Sequence, residues 1–245
     1  MDWHKRYQQQ ETWTRDLRAY LFENAGVHNA HRILEVGCGT GAILSTIDTR
    51  GSLYGLDIDS EALALCRTHT ARAALVRGDG LTLPYSSQSF DIVFCHYFLL
   101  WVRDPLQAAR EMKRVTRPYG HILALAEPDY GARVDKPDEL KVLGEWQVQS
   151  LKRQGADPGF GVRLAETFFQ VGIDIVEAGP IRTVIKDSTV EDQALEWAVI
   201  ESDLKGLVNE QEIEKMKLLN NQARARGERI LHIPTYFAWG QVRSV

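Results

Sequence analysis

The chain has 245 residues, of which 44% are hydrophobic and 25% are charged, so it has enough apolar surface to form a folded core. Its 29 basic and 33 acidic residues give a formal net charge of −4. That balance argues against a protein whose main task is to bind nucleic acid, because such binding depends on neutralising phosphates.

The cysteines and the apolar runs indicate in which cell compartment the protein is expected, and whether it crosses a membrane. Cys38, Cys66 and Cys95 are too few and too scattered for a disulfide framework or a zinc site. The longest apolar run, residues 92–102, is shorter than the roughly 20 residues that a membrane-spanning helix needs. Residues 1–6 show no apolar core of a signal peptide. We therefore expect a soluble, cytoplasmic protein with reduced thiols and no membrane span.

The first half of the chain alternates between predicted strands and helices. It opens with an amphipathic helix over 11–26, in which Trp13, Leu17 and Leu21 fall on one face. Strands are predicted over 33–36, 53–57, 74–77, 90–95 and 121–127. Helices between them are predicted from residue 42, over 61–68 and beyond with Ser60 as N-cap, and over 106–114 with Asp104 as N-cap and Pro105 at the first position. This alternation indicates right-handed β-α-β units and a mostly parallel sheet.

The second half of the chain has a looser pattern. After Pro128 the sequence predicts a polar loop. The remaining predicted elements are helices over 138–153 and 161–171, a strand over 173–184, two helices within 190–226 and a last strand over 233–240. No internal repeat or dividing linker is visible, so we expect a single domain.

The residues that follow the first two strands are typical of a nucleotide site. A glycine-rich turn over 35–41 lets the backbone approach a ligand closely. It also fits the dinucleotide pattern, so by itself it does not choose a cofactor. Asp57 closes the second strand 20 residues after Gly37, where a carboxylate can accept hydrogen bonds from ribose hydroxyls. The alternative is that Asp57 only caps its own loop.

Two further features lie where the third and fourth strands end. Asp79 and Gly80 follow the third strand, where an acid could accept a hydrogen bond from an adenine amino group. A plain Asp-Gly turn is the alternative. Cys95 and His96 end the fourth strand beside the glycine-rich turn. Because the carboxyl ends of parallel strands share one edge of the sheet, all these features should face one crevice.

Together these residues resemble the class I S-adenosylmethionine-dependent methyltransferases, closest to the ubiquinone/menaquinone C-methyltransferase-like, small-molecule group. Residues 33–41 resemble the family's first motif, and Asp57, Asp79 with Gly80, and residues 90–115 follow as its later motifs in order and spacing. The resemblance implies an α/β, Rossmann-like fold: a seven-stranded, mostly parallel sheet with helices on both faces, an antiparallel last strand and helical cap insertions.

The resemblance also implies how residues 1–245 are divided within one methyltransferase domain. Residues 1–28 would form an N-terminal helical lid, and residues 29–127 would form the cofactor-binding core. Residues 128–160 and 185–230 would form cap insertions on the substrate side. No metal is implied. The family is compatible with a monomer or a homodimer.

The resemblance assigns cofactor-binding roles to specific residues. Glu35 would face the methionine amino group, Gly37 and Gly39 would line the cofactor, Asp57 would bind the ribose and Asp79 the adenine. The backbone at Cys95 and His96 would lie near the methionine part, and Tyr7, Trp3 or Trp13 would close the site. The full set of implied cofactor-binding residues is Glu35, Gly37, Cys38, Gly39, Asp57, Ile58, Asp79, Gly80, Cys95, His96 and Tyr7. After methyl transfer the product would be S-adenosylhomocysteine.

These motifs identify the methyl donor and leave the acceptor open. The fourth strand ends without an Asn/Asp-Pro-Pro-aromatic motif, which disfavours methylation of amides or adenine amino groups. A small molecule methylated on carbon or oxygen is expected, with no nucleic acid partner. His96 is the leading candidate for a general base, with Asp129 and Tyr130 as further candidates.

For several residues near the expected acceptor pocket, the sequence is compatible with more than one role. Glu127, Asp129 and Tyr130 follow the fifth strand and should face the pocket or else shape the loop. The family often carries a histidine where this chain has Trp101, so a base at that position is not expected. Arg163 could bind an acidic substrate group or form a surface salt bridge.

Two other functions remain open at this point. One is a module that binds S-adenosylmethionine without catalysis. The other is an NAD(P)-dependent reductase, which would give no role to Glu35 and Asp79, and the chain has no evident Tyr-x-x-x-Lys pair.

Overall fold

A computed structural model of the chain describes residues 2–181 and 189–243. The strands of these residues are β1 (Arg32–Val36), β2 (Ser52–Asp57), β3 (Ala73–Arg77), β4 (Phe90–Cys95), β5 (Thr116–Pro128), β6 (Val134–Lys136), β7 (Asp174–Pro180), β8 (Ile230–His232) and β9 (Thr235–Gln241). The helices are α1 (Trp3–Trp13), α2 (Arg15–Asn24), α3 (Ser60–His69), α4 (Pro105–Val115), α5 (Lys141–Arg153), α6 (Leu164–Gln170), α7 (Val190–Leu204) and α8 (Glu210–Ala225).

Seven of these strands form one sheet in the order β3-β2-β1-β4-β5-β9-β7. The five strands from β3 to β5 run parallel to one another, whereas β9 pairs antiparallel with both β5 and β7. The predicted seven-stranded, mostly parallel sheet with an antiparallel last strand is therefore confirmed. The strand order reverses between β1 and β4, and that is the place where open α/β sheets form a ligand crevice.

The apolar residues of the central strands pack against helices on both faces of the sheet. On one face, Met112 of α4 and Phe168 of α6 belong to the same core cluster as Val93 of β4. On the other face, Leu21 of α2 and Leu63 of α3 belong to a second cluster. Burial on both faces explains why the inner positions of β1 and β4, such as Ile33, Leu34 and Val93, are apolar.

The N-terminal helix differs from its prediction. The structure has two helices, α1 and α2, with a break at Thr14, where one continuous helix over 11–26 was predicted. The first helix begins at Trp3 because the Asp2 side chain accepts a hydrogen bond from the Lys5 backbone N–H. At the break, the Thr14 hydroxyl donates to the Glu11 carbonyl, a local bond that competes with helix continuation.

Two predictions next to the glycine-rich turn are also wrong. The helix predicted from residue 42 is only a 3₁₀ turn, Leu44–Thr46, because the hydroxyls of Ser45 and Thr46 bond back to nearby carbonyls. The N-cap of α3 is Asp59 rather than Ser60, since the Asp59 carboxylate accepts from the N–H groups of Glu61 and Ala62.

The later elements follow the prediction more closely. The helices predicted over 138–153, 161–171 and within 190–226 correspond to α5, α6, α7 and α8 with short 3₁₀ turns before α5 and α6. The fifth strand was predicted over 121–127, but β5 begins earlier, at Thr116, and includes residues 118–120. Of the strand predicted over 173–184, residues 182–184 lie outside the described residues.

A small second sheet was not predicted. Strands β6 and β8 pair antiparallel, and each has only three residues, too few for a recognisable alternation. The pair is fastened by Asp135, which is 2% exposed and accepts hydrogen bonds from Arg133 and Arg229. Both arginine side chains are themselves almost fully buried.

Helices α5, α7 and α8 pack on one another through an apolar cluster of their own. Its buried members include Leu143, Trp197, Ile200, Ile213 and Met216. We call α5, α7 and α8 the cap helices. Cys38, Cys66 and Cys95 are buried thiols without disulfide partners. Within residues 2–181 and 189–243, no helix has the length and apolar composition that crossing a membrane requires.

Candidate active site

A cavity of about 690 Å³ lies at the carboxyl ends of β1, β2, β3 and β4. Most of the predicted cofactor-binding residues line it: Tyr7, Glu35, Gly37, Cys38, Gly39, Asp57, Ile58, Asp79, Gly80 and His96. Cys95 does not line the cavity, because its side chain is buried inside the sheet at the end of β4. Residues far apart in the chain are thus brought to one crevice.

The glycine-rich turn after β1 has a backbone that only glycine adopts easily. Gly37 has φ +74° and Gly39 has φ +49°, both in the left-handed region. A Cβ atom on Gly37 would lie 2.5 Å from the ring of Phe98, so a larger residue would displace that ring. The N–H groups of Gly37 and Cys38 both donate to the Leu56 carbonyl, at 2.8 and 3.0 Å, which fixes the turn against β2.

Asp57 links the loop after β2 to the glycine-rich turn after β1. One carboxylate oxygen accepts a hydrogen bond from the Gly39 N–H at 2.7 Å, and the other accepts from the Asp59 N–H at 2.9 Å. The loop-capping interpretation of Asp57 is therefore part of the structure. Each oxygen can accept a second bond, so capping and ribose binding are compatible. Asp79 forms a similar local turn, with Oδ1 accepting from the Leu81 N–H at 2.8 Å.

Glu35 is the most constrained acid of the cavity. Its side chain is 2% exposed, and among the described residues its Oε2 atom has no hydrogen-bond partner. Burial raises the pKa of Glu35 well above its usual range, and the charge of Arg18 partly opposes that rise. A buried carboxylate oxygen without a donor is costly unless a ligand supplies one. Glu35 therefore fits a ligand that carries an ammonium group.

His96 lies in an environment that disfavours its charged form. Its Nε2 atom is 3.1 Å from the Thr14 hydroxyl, and its ring meets that of Tyr97 edge to face at 4.7 Å. Burial lowers the pKa of His96 to about 3, and the positive charge of Arg18 acts in the same direction. An imidazole that is this difficult to protonate is a poor general base near neutral pH.

The three acidic or phenolic residues after β5 lie in different places. Glu127 is fully buried and does not line the cavity, since its carboxylate accepts the N–H groups of Phe98, Leu99 and Leu100 at 2.8–3.1 Å. Burial raises the pKa of Glu127 to about 7. Glu127 therefore holds the loop after β4 instead of facing the acceptor pocket as expected.

Asp129 also turns away from the cavity, whereas Tyr130 lines it. The Asp129 carboxylate accepts from the N–H groups of Gly131 and Ala132 and caps the 3₁₀ turn Tyr130–Ala132. Arg163 is ion-paired with Asp157 at the surface and does not line the cavity. The salt-bridge interpretation of Arg163 thus describes the structure.

One wall of the cavity comes from α1. Trp3 and Tyr7 both line the cavity, and a Cβ atom on Gly39 would lie 3.3 Å from the Tyr7 ring. His4 holds this helix to the glycine-rich turn, because its Nδ1 atom is 2.8 Å from the Thr40 hydroxyl. Trp13, the third aromatic residue predicted to close the site, does not line the cavity.

The remaining walls come from residues that the sequence did not single out. Trp101, which replaces the family's histidine, borders the cavity and is 45% exposed. Further lining residues from α1, the loop after β4 and the cap helices are Arg6, Gln10, Tyr97, Phe98, Leu100, Val102, Arg103, Leu151, Gln154, Val199 and Asp203. Polar residues of α1 gave no local motif by which they could be found. Among the described residues no cluster of potential metal ligands occurs.

Sequence comparisons agree with this geometry. Residues 34–124 match the family described as a methyltransferase domain. The chain is 35% identical over 127 residues to demethylmenaquinone methyltransferase from Shouchella clausii, covering 48% of this chain and 52% of that protein. It is 29% identical over 189 residues to an uncharacterized protein in a transposon of Streptomyces fradiae, covering 74% of this chain and 54% of that protein. The chain thus spans about half the length of these curated relatives.

Among the solved structures with the same fold is a protein that is called a cyclase and not a methyltransferase. The crystal structure of the 4+2 cyclase SpnF superimposes with a TM-score of 0.62 at 19% identity, covering 94% of this chain and 81% of the cyclase. At this level of identity the likeness shows the fold alone.

Proposed function

We propose that this chain is a class I S-adenosylmethionine-dependent methyltransferase that transfers a methyl group from S-adenosylmethionine to carbon or oxygen of a small-molecule acceptor. One observation carries the proposal. Three acids at the tips of neighbouring strands, Glu35, Asp57 and Asp79, border one cavity, and the buried Glu35 has an oxygen that needs a donor. A nucleoside joined to an amino acid offers an ammonium group, a ribose and an adenine in that order.

In this proposal each acid of the crevice binds one part of the cofactor. Glu35 accepts hydrogen bonds from the methionine ammonium group, Asp57 from the ribose hydroxyls and Asp79 from the adenine amino group. Gly37, Cys38 and Gly39 let the backbone approach, and Ile58 and Gly80 flank the adenine. His96 lines the methionine end, the backbone at Cys95 supports it, and Tyr7 covers the glycine-rich turn.

In the proposed reaction the main task of the protein is to position the acceptor against the methyl donor. The sulfonium group of the bound cofactor supplies an activated methyl group. The chain must then align the nucleophile with the S–CH₃ bond and exclude water, and such alignment can lower a barrier by roughly 7–11 kcal/mol. Tyr7 and Trp3 of α1, together with Trp101, border the space in which this alignment would occur.

The proposal also includes the division of the domain, the nature of the acceptor pocket, the cellular location and the oligomeric state. Residues 2–28 act as a lid, residues 29–127 as the cofactor core, and residues 128–160 and 189–230 as caps that shape the acceptor pocket of one domain. Residue 1 of the expected lid and residues 185–188 of the expected cap lie outside the described residues. Apolar side chains such as Leu100, Leu151 and Val199 suit an apolar acceptor. The relative from Shouchella clausii is called a demethylmenaquinone methyltransferase, which supports a small-molecule acceptor related to a quinone. We place the protein in the cytoplasm, as a monomer or homodimer and without a nucleic acid partner.

One observation favours a second candidate, a module that binds the cofactor without transferring its methyl group. His96 is poorly basic, and Asp129 and Glu127 are occupied by backbone N–H groups, so none of the three is an obvious general base. Release of S-adenosylhomocysteine in the presence of phenols, quinols and amines separates the two candidates. Turnover with any of them supports transfer.

A thermal shift comparison tests the cofactor. S-adenosylhomocysteine at 100 times its Kd should stabilise the protein by about 2.7 kcal/mol, whereas NADH should not change the melting temperature. Replacing Asp57→Ala should abolish most of that shift, and the control Asp48→Ala, an exposed acid near β2, should keep it. Stabilisation by NADH alone would instead support the reductase alternative. An unchanged shift in Asp57→Ala would refute the ribose role.

A further inference from the structure

Two histidine side chains lie face to face where the N-terminal helix meets the cofactor side of the molecule. His4 belongs to the first turn of α1, and His69 is the last residue of α3. The centres of their rings are 3.7 Å apart, and the ring planes differ by 10°. Neither residue lines the cavity, and the proposed function gives neither of them a role. The stack is therefore a contact between two helices that still needs an explanation.

Both rings are anchored on Thr40 of the glycine-rich turn, a residue that is 2% exposed. The Nδ1 atom of His4 is 2.8 Å from the Thr40 hydroxyl, and the Nδ1 atom of His69 is 3.3 Å from the Thr40 carbonyl. A carbonyl oxygen only accepts, so Nδ1 of His69 carries the hydrogen of that bond. We call His4, His69 and Thr40 the histidine cluster, because each member contacts the other two.

The histidine cluster attaches the N-terminal half of α1 to the turn. Within residues 2–181 and 189–243, the bond from His4 to Thr40 is the only hydrogen bond from residues 3–8 to a residue outside α1 and its N-cap. The same stretch contains Trp3 and Tyr7, which line the cavity. Separation of His4 from Thr40 would therefore loosen the wall that α1 contributes to the proposed cofactor site.

The other side of the histidine cluster is fixed. A Cβ atom on Gly41 would lie 2.7 Å from the Cys66 sulfur and 3.0 Å from the Thr70 methyl group, so the glycine-rich turn packs directly on α3. The Gly41 N–H also donates to the Cys38 carbonyl at 2.9 Å, which closes the turn. The turn and α3 thus form one body, and α1 is the part that can separate from it.

The stack accommodates one positive charge more easily than two. The ordinary pKa of an imidazole is about 6.5, so two separated histidines both gain protons in mild acid. In the stack, burial and the charge of His69 lower the pKa of His4, and the charge of Asp2 partly opposes this fall. The separated state therefore binds more protons than the stacked state, and a fall in pH favours separation.

The surrounding charges do not compensate a second proton. The charged groups of the elements around the cluster are Asp2 and Lys5 of α1, Asp57 and Asp59 at the end of β2, and Arg67 and Arg72 at the end of α3. Asp2 is the acid whose charge acts on His4. The Asp57 carboxylate is engaged by the N–H groups of Gly39 and Asp59. One acid beside two imidazoles can balance one positive charge, so the second proton remains opposed.

We propose that His4 and His69 are positioning residues that hold α1 closed over the cofactor site, and that double protonation of this pair in mild acid releases α1 and weakens cofactor binding. The inference rests on the proposed function, because it concerns the cofactor of the same site. Neither histidine contacts the cofactor, since they act through the position of Tyr7 and Trp3. The change is reversible, because protons from solvent are the only atoms that bind or leave.

The first test measures the affinity for S-adenosylhomocysteine by calorimetry at pH 7.5 and pH 5.5. In wild type the Kd should rise with acid by up to about tenfold more than in His4→Gln, since one pKa unit corresponds to a factor of ten. The glutamine can still bond to the Thr40 hydroxyl but gains no charge. His69→Gln should also lose most of the extra rise. Glu35 and the ligand titrate alike in all three proteins, so their contribution cancels in the comparison.

The second test needs no ligand. Hydrogen exchange of residues 3–8, corrected for the intrinsic effect of pH, should show lower protection at pH 5.5 than at pH 7.5 in wild type and no such change in His4→Gln. The control is His28→Gln, which removes an exposed histidine that lies 3.8 Å from Asp48 and makes no contact with the histidine cluster. This control should behave as wild type in both tests.

Two results would overturn the inference. One is an equal rise of the Kd in wild type and in His4→Gln, with native melting temperatures for both. The other is protection of residues 3–8 that does not depend on pH in the ligand-free wild type. Failure of S-adenosylhomocysteine to bind at either pH, together with protection that depends on pH and on His4, would refute the proposed function and still confirm the release of α1.

Discussion

The cavity has two halves that are built in different ways. On the sheet side, Glu35, Asp57 and Asp79 lie at or just beyond the ends of consecutive parallel strands, so the backbone of the sheet places them. On the cap side, side chains from distant segments hold the wall together. Gln9 of α1 bonds to Asp192 of α7, and Asp203 of α7 bonds to residues of α5.

The difference shows which kind of site can be found from a short motif. Strand spacing carries an acid to the sheet edge whatever the rest of the chain does. The cap side depends on pairs of residues that no local pattern connects. The two halves should therefore respond to substitution independently, which the following experiments examine.

The largest effect is expected at the junction of the two halves. Replacing Glu127→Ala removes the acceptor of three buried N–H groups, those of Phe98, Leu99 and Leu100. Because each unsatisfied buried donor costs on the order of 1–3 kcal/mol, we expect the free energy of unfolding to fall by about 5 kcal/mol. Urea denaturation measures this loss. Glu23→Ala, an exposed glutamate on α2, should change stability by less than about 0.5 kcal/mol.

A second variant separates hydrogen bonding from packing at this junction. Glu127→Gln keeps one oxygen acceptor at almost the same volume, so its loss should be intermediate. If Glu127→Ala is as stable as wild type, the loop after β4 is held by its apolar residues and the role assigned to Glu127 is incorrect.

A smaller and more local effect is expected in the cap half. Replacing Asp135→Ala leaves Arg133 and Arg229 buried without their counter-ion, which should cost about 3 kcal/mol. Hydrogen exchange should increase in β6, β8 and the cap helices, whereas β1, β2 and β4 keep their protection. The affinity for S-adenosylhomocysteine should stay within about twofold of wild type, since the sheet-edge acids are untouched.

The matched control for this variant is Asp138→Ala, which removes an exposed partner of Lys136 and Lys141. Exposed ion pairs contribute about 0–1 kcal/mol, so hydrogen exchange should hardly change. A large drop in cofactor affinity in Asp135→Ala would show that the two halves are coupled and would contradict the comparison.

The smallest effect is a pH dependence of stability to which two buried groups, Glu127 and His96, contribute with opposite signs. Glu127 has its folded-state pKa raised to about 7, so its contribution to stability falls as pH rises from about 4.5 to 7. His96 has its folded-state pKa lowered to about 3, so its contribution rises as pH rises from about 3 to 6.5. Between about pH 4.5 and 6.5 the two slopes oppose each other.

Replacing His96→Asn should expose the slope that Glu127 produces. Between pH 5 and 6 the free energy of unfolding of this variant should fall by up to about 1.4 kcal/mol more than that of wild type. Glu127→Gln should show the opposite slope. Identical slopes in all three proteins, measured by urea denaturation, would mean that neither residue titrates as its burial implies.

The sequence predicted the sheet half well because periodicity and strand spacing are local signals. Its errors also have local causes, since the hydroxyls of Thr14, Ser45 and Thr46 form bonds that interrupt or replace helices. The three-residue strands β6 and β8 are too short to show alternation. Positions of Glu127 and Asp129 were predicted near the pocket, but the direction of a side chain depends on backbone donors that sequence does not show.

Arg6 was missed for a related reason. On α1 it is one of several charged or polar residues, and only contact with Gln9 and Trp13 distinguishes it from Lys5. Gln9, which accepts a hydrogen bond from Arg6, is bonded in turn to Asp192 of α7, more than half the chain away. No local motif in the sequence marks such a residue.

The bond between Gln9 and Asp192 joins residues 183 positions apart in the chain. Closing so long a loop costs conformational entropy before any contact compensates for it, which slows the assembly of such contacts. The parallel strands from β1 to β5, by contrast, pair with one another within residues 32–128. During synthesis, the sheet side of the cavity, proposed to bind the cofactor, can therefore form first. The cap side, proposed to bind the acceptor, closes only when the chain has been made through α7.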